Sequence, residues 1–588
     1  MSFNTDLARR FEEIAAMLEL LGEDSFRVNA HRKVARVIED STQDFSELAQ
    51  DREALLAIDG IGKKTADKIL EFVTSGDIEE HKELREKVPA GLLDVLAIPG
   101  VGPKTAKHLW EELGVVDVPG LKKAIEDGSI LTIPRMGEKS VEKIKSAIAF
   151  HESAGDRTPL GIALPIAEQF AARVRELDGV KKCEFAGSLR RGRDTIGDID
   201  LICAATDKHA EAVGEAFRGF EEVKEVLAAG ATKSSVRVEV HGVRIQIDLR
   251  IVPPDAYGAA ILYFTGSKAH NVRLRERAQK QGLTLNEYGL FKDDGKPAPQ
   301  NRGAKAIASK TERDIYGALK VCDPPPELRE DTGELDHKPG HDFDLVTLDD
   351  IKAELHAHTT ASDGALSIVE LAQEAKRRGF HTIAVTDHSK SQQVARGLDR
   401  KRLLAHIEDI RAAQDKVEGI SILAGTEVDI MPDGSLDYSD DLLEKLDVVV
   451  ASPHWSLSQK PAEATKRLLK AIRHPLVHII GHPTGRLIGR REGLSPDISE
   501  LVGAAAEHDT ALEINAHWLR LDLRDTHARA ALAAGCNIAI DCDVHAVTDF
   551  DNLRFGVLTG RRAGLSPDRC LNAWTKTRLH KWLASKRG

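Results

Sequence analysis

The stretch Thr382-Ile383-Ala384-Val385-Thr386-Asp387-His388 is a β-branched, apolar run that ends in a carboxylate and an imidazole. The same design recurs through the C-terminal third of the chain. Glu354-Leu355-His356-Ala357-His358 comes first, followed by Ser362-Asp363-Gly364. Gly425-Thr426-Glu427, Ser452-Pro453-His454, Gly481-His482-Pro483 and Asp543-Val544-His545 continue the series, nearly all after short runs such as Val448-Val449-Val450. A residue that follows a strand sits at its carboxyl end. Strands alternating with helical stretches from 351 to about 575 therefore predict a parallel α/β barrel with a metal site on its top face. One histidine after a strand is commonly a packing or loop residue, but packing does not call for an ordered series of imidazoles and carboxylates.

The chain has 588 residues, of which 41% are hydrophobic and 30% charged, enough for several domains with cores of their own. No run approaches the roughly 20 apolar residues of a membrane span. The start, Met1-Ser2-Phe3-Asn4-Thr5-Asp6, lacks the charged and apolar regions of a signal peptide. Six scattered cysteines without a Cys-x-x-Cys pair point to free thiols in a reducing cytoplasm. A net charge of −12 argues against whole-surface binding to nucleic acid but leaves local phosphate sites open.

Residues 1 to about 150 read as short helices with glycine turns, with apolar residues at helical spacing as in Leu7, Phe11, Ile14 and Leu18. Ile58-Asp59-Gly60-Ile61-Gly62-Lys63-Lys64-Thr65-Ala66 recurs as Ile98-Pro99-Gly100-Val101-Gly102-Pro103-Lys104-Thr105-Ala106, and more weakly as Ile133-Pro134-Arg135-Met136-Gly137-Glu138-Lys139-Ser140. A glycine turn that opens a helix presents backbone N–H groups to an anion. The pattern resembles the helix-hairpin-helix element, which implies DNA-phosphate contacts through Gly60, Gly62, Gly100 and Gly102. From about 160 to 255 the pattern is mixed α and β, with His241-Gly242 as a hairpin turn between Ser235–Val240 and Val243–Asp248. The proline-rich Asp323-Pro324-Pro325-Pro326-Glu327 and the polar residues after it predict a semi-extended linker.

The second decisive stretch is Gly187-Ser188-Leu189-Arg190-Arg191-Gly192-Arg193-Asp194-Thr195-Ile196-Gly197-Asp198-Ile199-Asp200. Asp198 and Asp200 are two apart in a predicted strand and share a face, and Asp248 ends a later strand where it can join them. Three carboxylates on one face repel unless divalent cations neutralise them. Two oxygen-ligated ions can align a 3′-hydroxyl with a triphosphate, with Gly187 and Ser188 against the phosphates and Arg191 pairing with them bidentately.

This stretch closely resembles the nucleotidyltransferase palm of the X family of DNA polymerases. The resemblance continues through Tyr263-Phe264-Thr265-Gly266-Ser267 to Asn271, Arg275 and the thumb-like Leu283–Tyr288. It implies that Tyr263, Phe264 and Gly266 border the nucleotide and screen its sugar, that Asn271 touches the base edge and that Arg275 contacts the template strand. The N-terminal part is similar to the family's lyase domain, through Phe26-Arg27-Val28-Asn29-Ala30-His31-Arg32-Lys33. Lys68 stands where lyase-competent members carry their Schiff-base lysine, a role that requires a neutral amine. The chain departs from the family at His31, where tyrosine is usual, and at Phe26, where a polar residue stands in the animal repair enzyme. The C-terminal set resembles the PHP domain of polymerases and histidinol phosphatases. That resemblance implies up to three ions held by His356, His358, Asp363, His388, Glu427, His454, His482, Asp543 and His545, with Asp387 in support. Imidazoles with carboxylates suit zinc, manganese or iron, whereas the palm aspartates suit magnesium or manganese. Arg486, Arg490 and Arg491 read as a basic patch at the barrel mouth able to grip a DNA backbone, and Trp455 and Trp518 read as barrel packing.

The expected architecture is multidomain. Its parts are a lyase-like helical domain at 1–80, fingers at 81–155, an α+β palm at 156–255, a thumb at 256–322, a linker at 323–350 and a distorted (βα)7 PHP barrel at 351–575. The expected function is that of a bacterial, cytoplasmic X-family polymerase, a monomer that fills short gaps in DNA repair. It takes gapped or primer-template DNA and deoxynucleoside triphosphates, and its PHP domain adds 3′-5′ exonuclease with abasic-site endonuclease or 3′-phosphatase action. Three rival readings are a DNA phosphoesterase whose palm is an idle clamp, a noncatalytic DNA scaffold and a small-molecule phosphatase.

Overall fold

A computed structural model of the chain describes residues 3–586 apart from 40–44, 50, 57, 59–60, 97, 99, 135, 139, 143, 146–147, 149–156 and 241. Gly60, His241 and the expected boundary near 155 lie outside the described residues. The chain forms two compact units, Met1–Asp156, Gly489–Glu492 and His545–Thr548 in the first, and Arg157–Ile488, Gly493–Val544 and Asp549–Gly588 in the second. Among the described residues no helix is long and apolar enough to cross a membrane. All six cysteines are buried and free.

The first unit is helical. Phe3–Leu21 and Ser25–Glu39 pack with Leu7, Phe11, Ile14 and Leu18 fully buried, which bears out the helical spacing of these residues. Gly62 and Gly102 are the N-caps of helices Lys63–Ser75 and Pro103–Leu113, and neither helix has a side-chain cap. Gly100 has φ +97°, a turn conformation that a side chain resists.

The second unit joins two sheets. The palm sheet holds β1 (Val180–Phe185), β2 (Asp198–Ala205), β3 (Val223–Ala229), β4 (Lys233–Val240) and β5 (Val243–Val252), in the order β1-β2-β5-β4-β3. Only β2 and β5 pair in parallel, and that pairing sets Asp200 opposite Asp248. Val240 opposes Val243 across the expected hairpin, whose Gly242 has φ +74°. Helix Leu160–Arg175 covers the sheet with Phe170, Ala171 and Val174 buried. The thumb adds the hairpin of β6 (Leu283–Asn286) and β7 (Gly289–Lys292) to helix Lys268–Gln279.

The barrel strands are β8 (Ala353–Glu354), β9 (Thr382–Val385), β10 (Ser421–Asp429), β11 (Val448–Ser452), β12 (Ile479–Ile480), β13 (Ala511–Asn515) and β14 (Ile538–Asp541), parallel and in sequential order. A bridge between Ala357 and Val544 brings the first and last strands together, so the seven-stranded barrel is nearly closed. Its strands are buried throughout, as parallel strands covered on both faces must be.

Residues 323–350 differ from the expected extended linker. Short 3-10 turns at Pro326–Leu328, Glu334–Asp336 and Leu348–Asp350 fold this stretch onto the thumb and barrel. Arg329, Leu335 and Val346 are buried in it, and Val346 N donates to Leu565 O at 2.9 Å. Proline and charge mark irregular backbone, but they do not tell whether a tertiary partner lies beneath it.

Palm and thumb share one ionic hub. Arg190 donates bidentately to Glu312 at 2.9 and 2.8 Å and reaches Thr265 Oγ1 at 2.8 Å, and the buried Arg329 also donates to Glu312. Burial alone would raise the Glu312 pKa, but the two guanidinium groups outweigh it and bring the carboxyl to about 2. A depressed carboxyl stabilises the fold above its unfolded pKa, and this contribution fades as pH falls through the folded value. The 4.5-to-2 shift corresponds to about 3 kcal/mol. We expect E312Q to be less stable than wild type at neutral pH in urea unfolding, with the difference shrinking between about pH 4.5 and pH 2.

Candidate active sites

The palm site is built on β2 and β5. Asp198 is exposed, Asp200 half-buried and Asp248 buried, on adjacent parallel strands. Gly187 opens the short helix Gly187–Arg190 with φ +62°, and a Cβ there would lie 2.7 Å from Asp200 Oδ2. Only glycine lets that backbone approach the carboxylate. Burial, then the charges of Asp198 and Asp248, push the Asp200 pKa up to about 7. Asp248 moves the other way. Burial opposes its charge, but hydrogen bonds from Lys233, Gln246 and Ser235 hold it below the usual range, with Lys233 Nζ at 2.7 Å. Crowded carboxylates of this kind fit divalent cations, which relieve the repulsion.

The nucleotide-side residues lie on helix Tyr257–Thr265 and the turn after it. The Tyr263 and Phe264 rings meet edge to face at 5.2 Å, and Arg250 stacks over Phe264 at 4.2 Å. Asn271 Nδ2 donates to Tyr263 O at 2.7 Å and Gly266 O at 3.2 Å, and a Cβ on Gly266 would meet Asn271 Oδ1 at 2.6 Å. Ser267 caps helix Lys268–Gln279, on which Arg275 is exposed. Ser188 is half-buried beside Gly187.

Two arginines stand elsewhere than the sequence suggests. Arg191, expected to grip phosphate, donates to Glu330 Oε1 at 2.9 Å and to Thr265 O at 2.8 Å. Arg486, expected to grip DNA, is 5% exposed and is spent on Arg520 O, Leu521 O and Asp194 Oδ2. A charged side chain in a polar loop looks solvated in the sequence, and only the neighbouring domain shows that it is covered. The two tryptophans also separate. Trp518 packs against Gly161, where a Cβ would sit 2.3 Å away, but Trp455 is exposed rather than packed.

In the barrel, donor atoms of all nine expected residues gather in overlapping groups: His358, Asp363, His388 and His545; His356, His358 and Asp543; His356, Glu427 and His482; and His388, Glu427 and His454. Glu427 lies two residues before the end of β10, 2.8 Å from His388 Nδ1 and from His482 Nε2. Burial opposes its charge, but His454, His356 and His388 hold its carboxyl well below the usual range. Burial likewise disfavours charge on His356, yet Glu513, Asp543 and Glu427 hold that imidazole well above its ordinary pKa. Burial and Arg520 press His482 down to about 3. His356 Nε2 and His482 Nδ1 are buried without a hydrogen-bond partner. Buried polar atoms seldom lack partners, so cations fit this donor set, and its imidazoles and carboxylates suit zinc, manganese or iron.

A surrounding layer orients the ligands. Asp387 does not join the groups. It accepts from Thr359 N, Ser362 N and His406 Nε2 at 2.9, 3.1 and 2.8 Å and so fixes the loop that carries Asp363. Sequence reasoning missed Glu513, whose Oε1 lies 2.7 Å from His356 Nδ1, and Asp429, whose Oδ1 lies 2.6 Å from His454 Nδ1. The signal for both was present. Each is a carboxylate near the carboxyl end of a buried strand, and Asp429 follows Glu427 by two, on the same face. A partner that holds a ligand imidazole raises metal affinity by about 10–100-fold. E513Q should therefore retain less metal than wild type after dialysis against graded chelator, read by elemental mass spectrometry, with unchanged circular dichroism.

The comparisons with known proteins agree with this geometry. Residues 2–78 match a helix-hairpin-helix domain, 92–149 a SAM-like helix-hairpin-helix tandem, 260–330 the DNA polymerase beta thumb and 354–517 the PHP domain. The chain is 37% identical over 568 residues to the DNA polymerase/3′-5′ exonuclease PolX of Bacillus subtilis, covering 97% of each chain. Its barrel region is 32% identical over 228 residues to a probable phosphatase of a Thermoanaerobacter species, covering 37% of this chain and 88% of that one. DNA polymerase lambda of Arabidopsis thaliana is 29% identical over 350 residues, covering 54% of this chain and 60% of that one. The chain belongs to the PolX family, the X-family DNA polymerases that carry a C-terminal PHP domain.

Proposed function

We propose that the chain is a DNA-directed DNA polymerase that fills short gaps during repair, with a metal-dependent 3′-5′ exonuclease in its barrel. The observation that carries this reading is the presence in one chain of two donor sets, Asp198, Asp200 and Asp248 on paired strands, and the nine-residue barrel cluster. Its substrates are gapped or primer-template DNA and deoxynucleoside triphosphates, and it works as a cytoplasmic monomer. Asp198, Asp200 and Asp248 would hold magnesium or manganese, and the barrel residues up to three zinc, manganese or iron ions. Bound ions supply Lewis acidity to the phosphoryl group and to the attacking oxygen.

The chain's own residues do the rest. Gly187 lets backbone approach the triphosphate, and Ser188 offers it a hydroxyl. Tyr263 and Phe264, braced by Arg250, screen the sugar, while Asn271 contacts the base edge and the exposed Arg275 reaches the template strand. In the barrel Glu513, Asp429 and Asp387 fix the imidazoles and the Asp363 loop, so the site does not have to rearrange when a phosphodiester enters. Abasic-site endonuclease or 3′-phosphatase action would use the same groups.

One contact favours a second reading, a phosphoesterase with an idle palm that clamps DNA. Lys233 pairs with Asp248 at 2.7 Å and must yield if that carboxylate is to hold an ion. A one-nucleotide-gapped duplex with a labelled primer separates the readings. With manganese, extension by one nucleotide when the matching triphosphate is present, and shortening when it is absent, supports both active sites. Shortening alone supports the clamp. We expect D198A/D200A to abolish extension and spare degradation, and H356A to do the reverse; extension by the aspartate variant would sink the palm assignment.

A further inference from the structure

In the barrel, only two large apolar side chains are exposed among the described residues, Val394 at 81% and Trp455 at 44%. Single exposed apolar residues are ordinary on a protein surface, but these two share a place. Trp455 directly follows His454, and Val394 lies in the loop that follows His388. The His388 and His454 rings lie 5.3 Å apart and form one donor group with Glu427. Their side chains are 9% and 17% exposed, so this group opens to solvent.

The backbone beneath the indole is pinned. Asp429 ties the two loops together. It accepts from Ser391 Oγ and from Gln392 Nε2 at 3.0 Å in the Val394 loop, and its Oδ1 lies 2.6 Å from His454 Nδ1. The buried Arg467 donates to Trp455 O at 2.7 Å, to Gln459 Oε1 at 3.2 Å and to Ile430 O at 3.0 Å. Leu457 packs against Gly485, where a Cβ would lie 2.9 Å from it. The stretch 455–459 is therefore fixed by its main chain and by Leu457, while the indole itself is left in water. A ring held in this way loses little freedom when a flat partner covers it.

The neighbouring donor group decides what that partner is. Consecutive Cα atoms are about 3.8 Å apart, so a nucleotide whose phosphate meets the His454 group brings its base within reach of the next side chain. Every base has a π-face, and stacking on an aromatic ring is tolerant of sequence. Trp455 is the only exposed aromatic among the described residues of the barrel, and Val394 adds an apolar edge.

We propose that Trp455 determines substrate specificity in the barrel: its indole stacks on a base at the 3′ end of the strand being shortened, so that ends which carry a base are taken in preference to ends which have lost it. The inference rests on the exonuclease reading of the barrel and names the part of the substrate that this site holds. Stacking made equally in the ground state and in the transition state lowers KM and leaves kcat alone.

The test uses the full chain with manganese and 5′-labelled single strands that end in a normal nucleotide or in a tetrahydrofuran nucleotide without a base. Wild type should remove the normal terminus with a KM about tenfold lower than the tetrahydrofuran terminus. W455A should raise KM about tenfold on the normal terminus, with kcat nearly unchanged, and should leave the tetrahydrofuran terminus as it is in wild type. W455F, which keeps an aromatic face, should restore most of the preference. A second readout needs no turnover. In EDTA, wild type should quench the fluorescence of a 3′-terminal 2-aminopurine and W455A should quench it less, whereas the same base in the interior of the strand should show no such difference. No shortening of any strand by wild type sinks the exonuclease reading and this inference with it. Shortening in which wild type treats both termini alike, or in which W455A keeps the wild-type KM, loses equally on both termini or loses kcat instead, overturns this inference and leaves the exonuclease reading standing. Equal quenching by wild type and W455A, or a difference of the same size at the interior base, overturns it as well.

Discussion

The second unit depends on a chain of ion pairs that runs from the barrel into the palm. Asp525 accepts from Arg562 at 2.7 Å, Arg562 reaches Glu330 at 3.1 Å, Glu330 accepts from Arg191 at 2.9 Å, and Arg191 donates to Thr265 O at 2.8 Å. Arg562 is almost fully buried, so removing either carboxylate would leave its charge only partly paired away from water, a larger cost than the pair's net worth. This constraint explains two features at once. It accounts for a 323–350 segment that is docked rather than extended, since Glu330 supplies the middle carboxylate. It also explains why Arg191 does not face the phosphates, because the palm loop that carries it is shared. Gly187 at its start lies against Asp200, and Arg191, Gly192 and Asp194 meet the barrel, with Gly192 packed against Leu558 and Asp194 paired to Arg486.

The two catalytic sites solve opposite electrostatic problems. The palm gathers like charges, and burial with two neighbouring carboxylates brings Asp200 to about 7. Lys233 offsets part of this repulsion, and added cations would relieve the rest. The barrel mixes signs. Its imidazoles depress Glu427 while Glu427, Asp543 and Glu513 lift His356, so protons and metal ions compete for the same nitrogens. Oxygen ligands of the first kind suit hard cations, whereas in the second two of the imidazoles, His356 and His454, are also held by carboxylates outside the groups, Glu513 and Asp429.

What the sequence made legible follows from periodicity. Barrel strands are short, apolar and β-branched, so most of the imidazoles and carboxylates could be placed near strand ends, and the resemblance to the PHP domain supplied the set of nine. Asp198 and Asp200 were legible for the same reason, because a period of two puts them on one face. The supporting residues were not. Glu513 and Asp429 have the same strand-end signature as the ligands, but their role depends on which imidazole nitrogen they meet, a distance that spacing does not encode. Arg191, Arg486 and Trp455 failed for a related reason: whether a polar loop is covered depends on another domain, and nothing in the local composition reports it. The partner of Lys68 is the sharpest case. Lys68 Nζ donates to Glu80, which follows it by twelve residues, a gap without meaning until two helices fold back on each other.

A net charge of −12 and a DNA substrate need not conflict, and the capping chemistry of the helices shows how. Several helices of the barrel and thumb close their first turns with side chains: Ser367 accepts from Glu370 N, Asp399 from Arg402 N, Asp497 from Glu500 N and Thr311 from Asp314 N. The helices that begin at Lys63 and Pro103 do not. Their caps are Gly62 and Gly102, without a side-chain acceptor, and each falls within a stretch that matches helix-hairpin-helix families. A capping aspartate there would satisfy the first N–H groups and repel a phosphate, whereas glycine leaves those donors and the positive end of the helix dipole for the backbone of the nucleic acid. Affinity gained through main-chain donors adds no basic side chains to the total, so a chain with an acidic surface can hold phosphate at a few built positions.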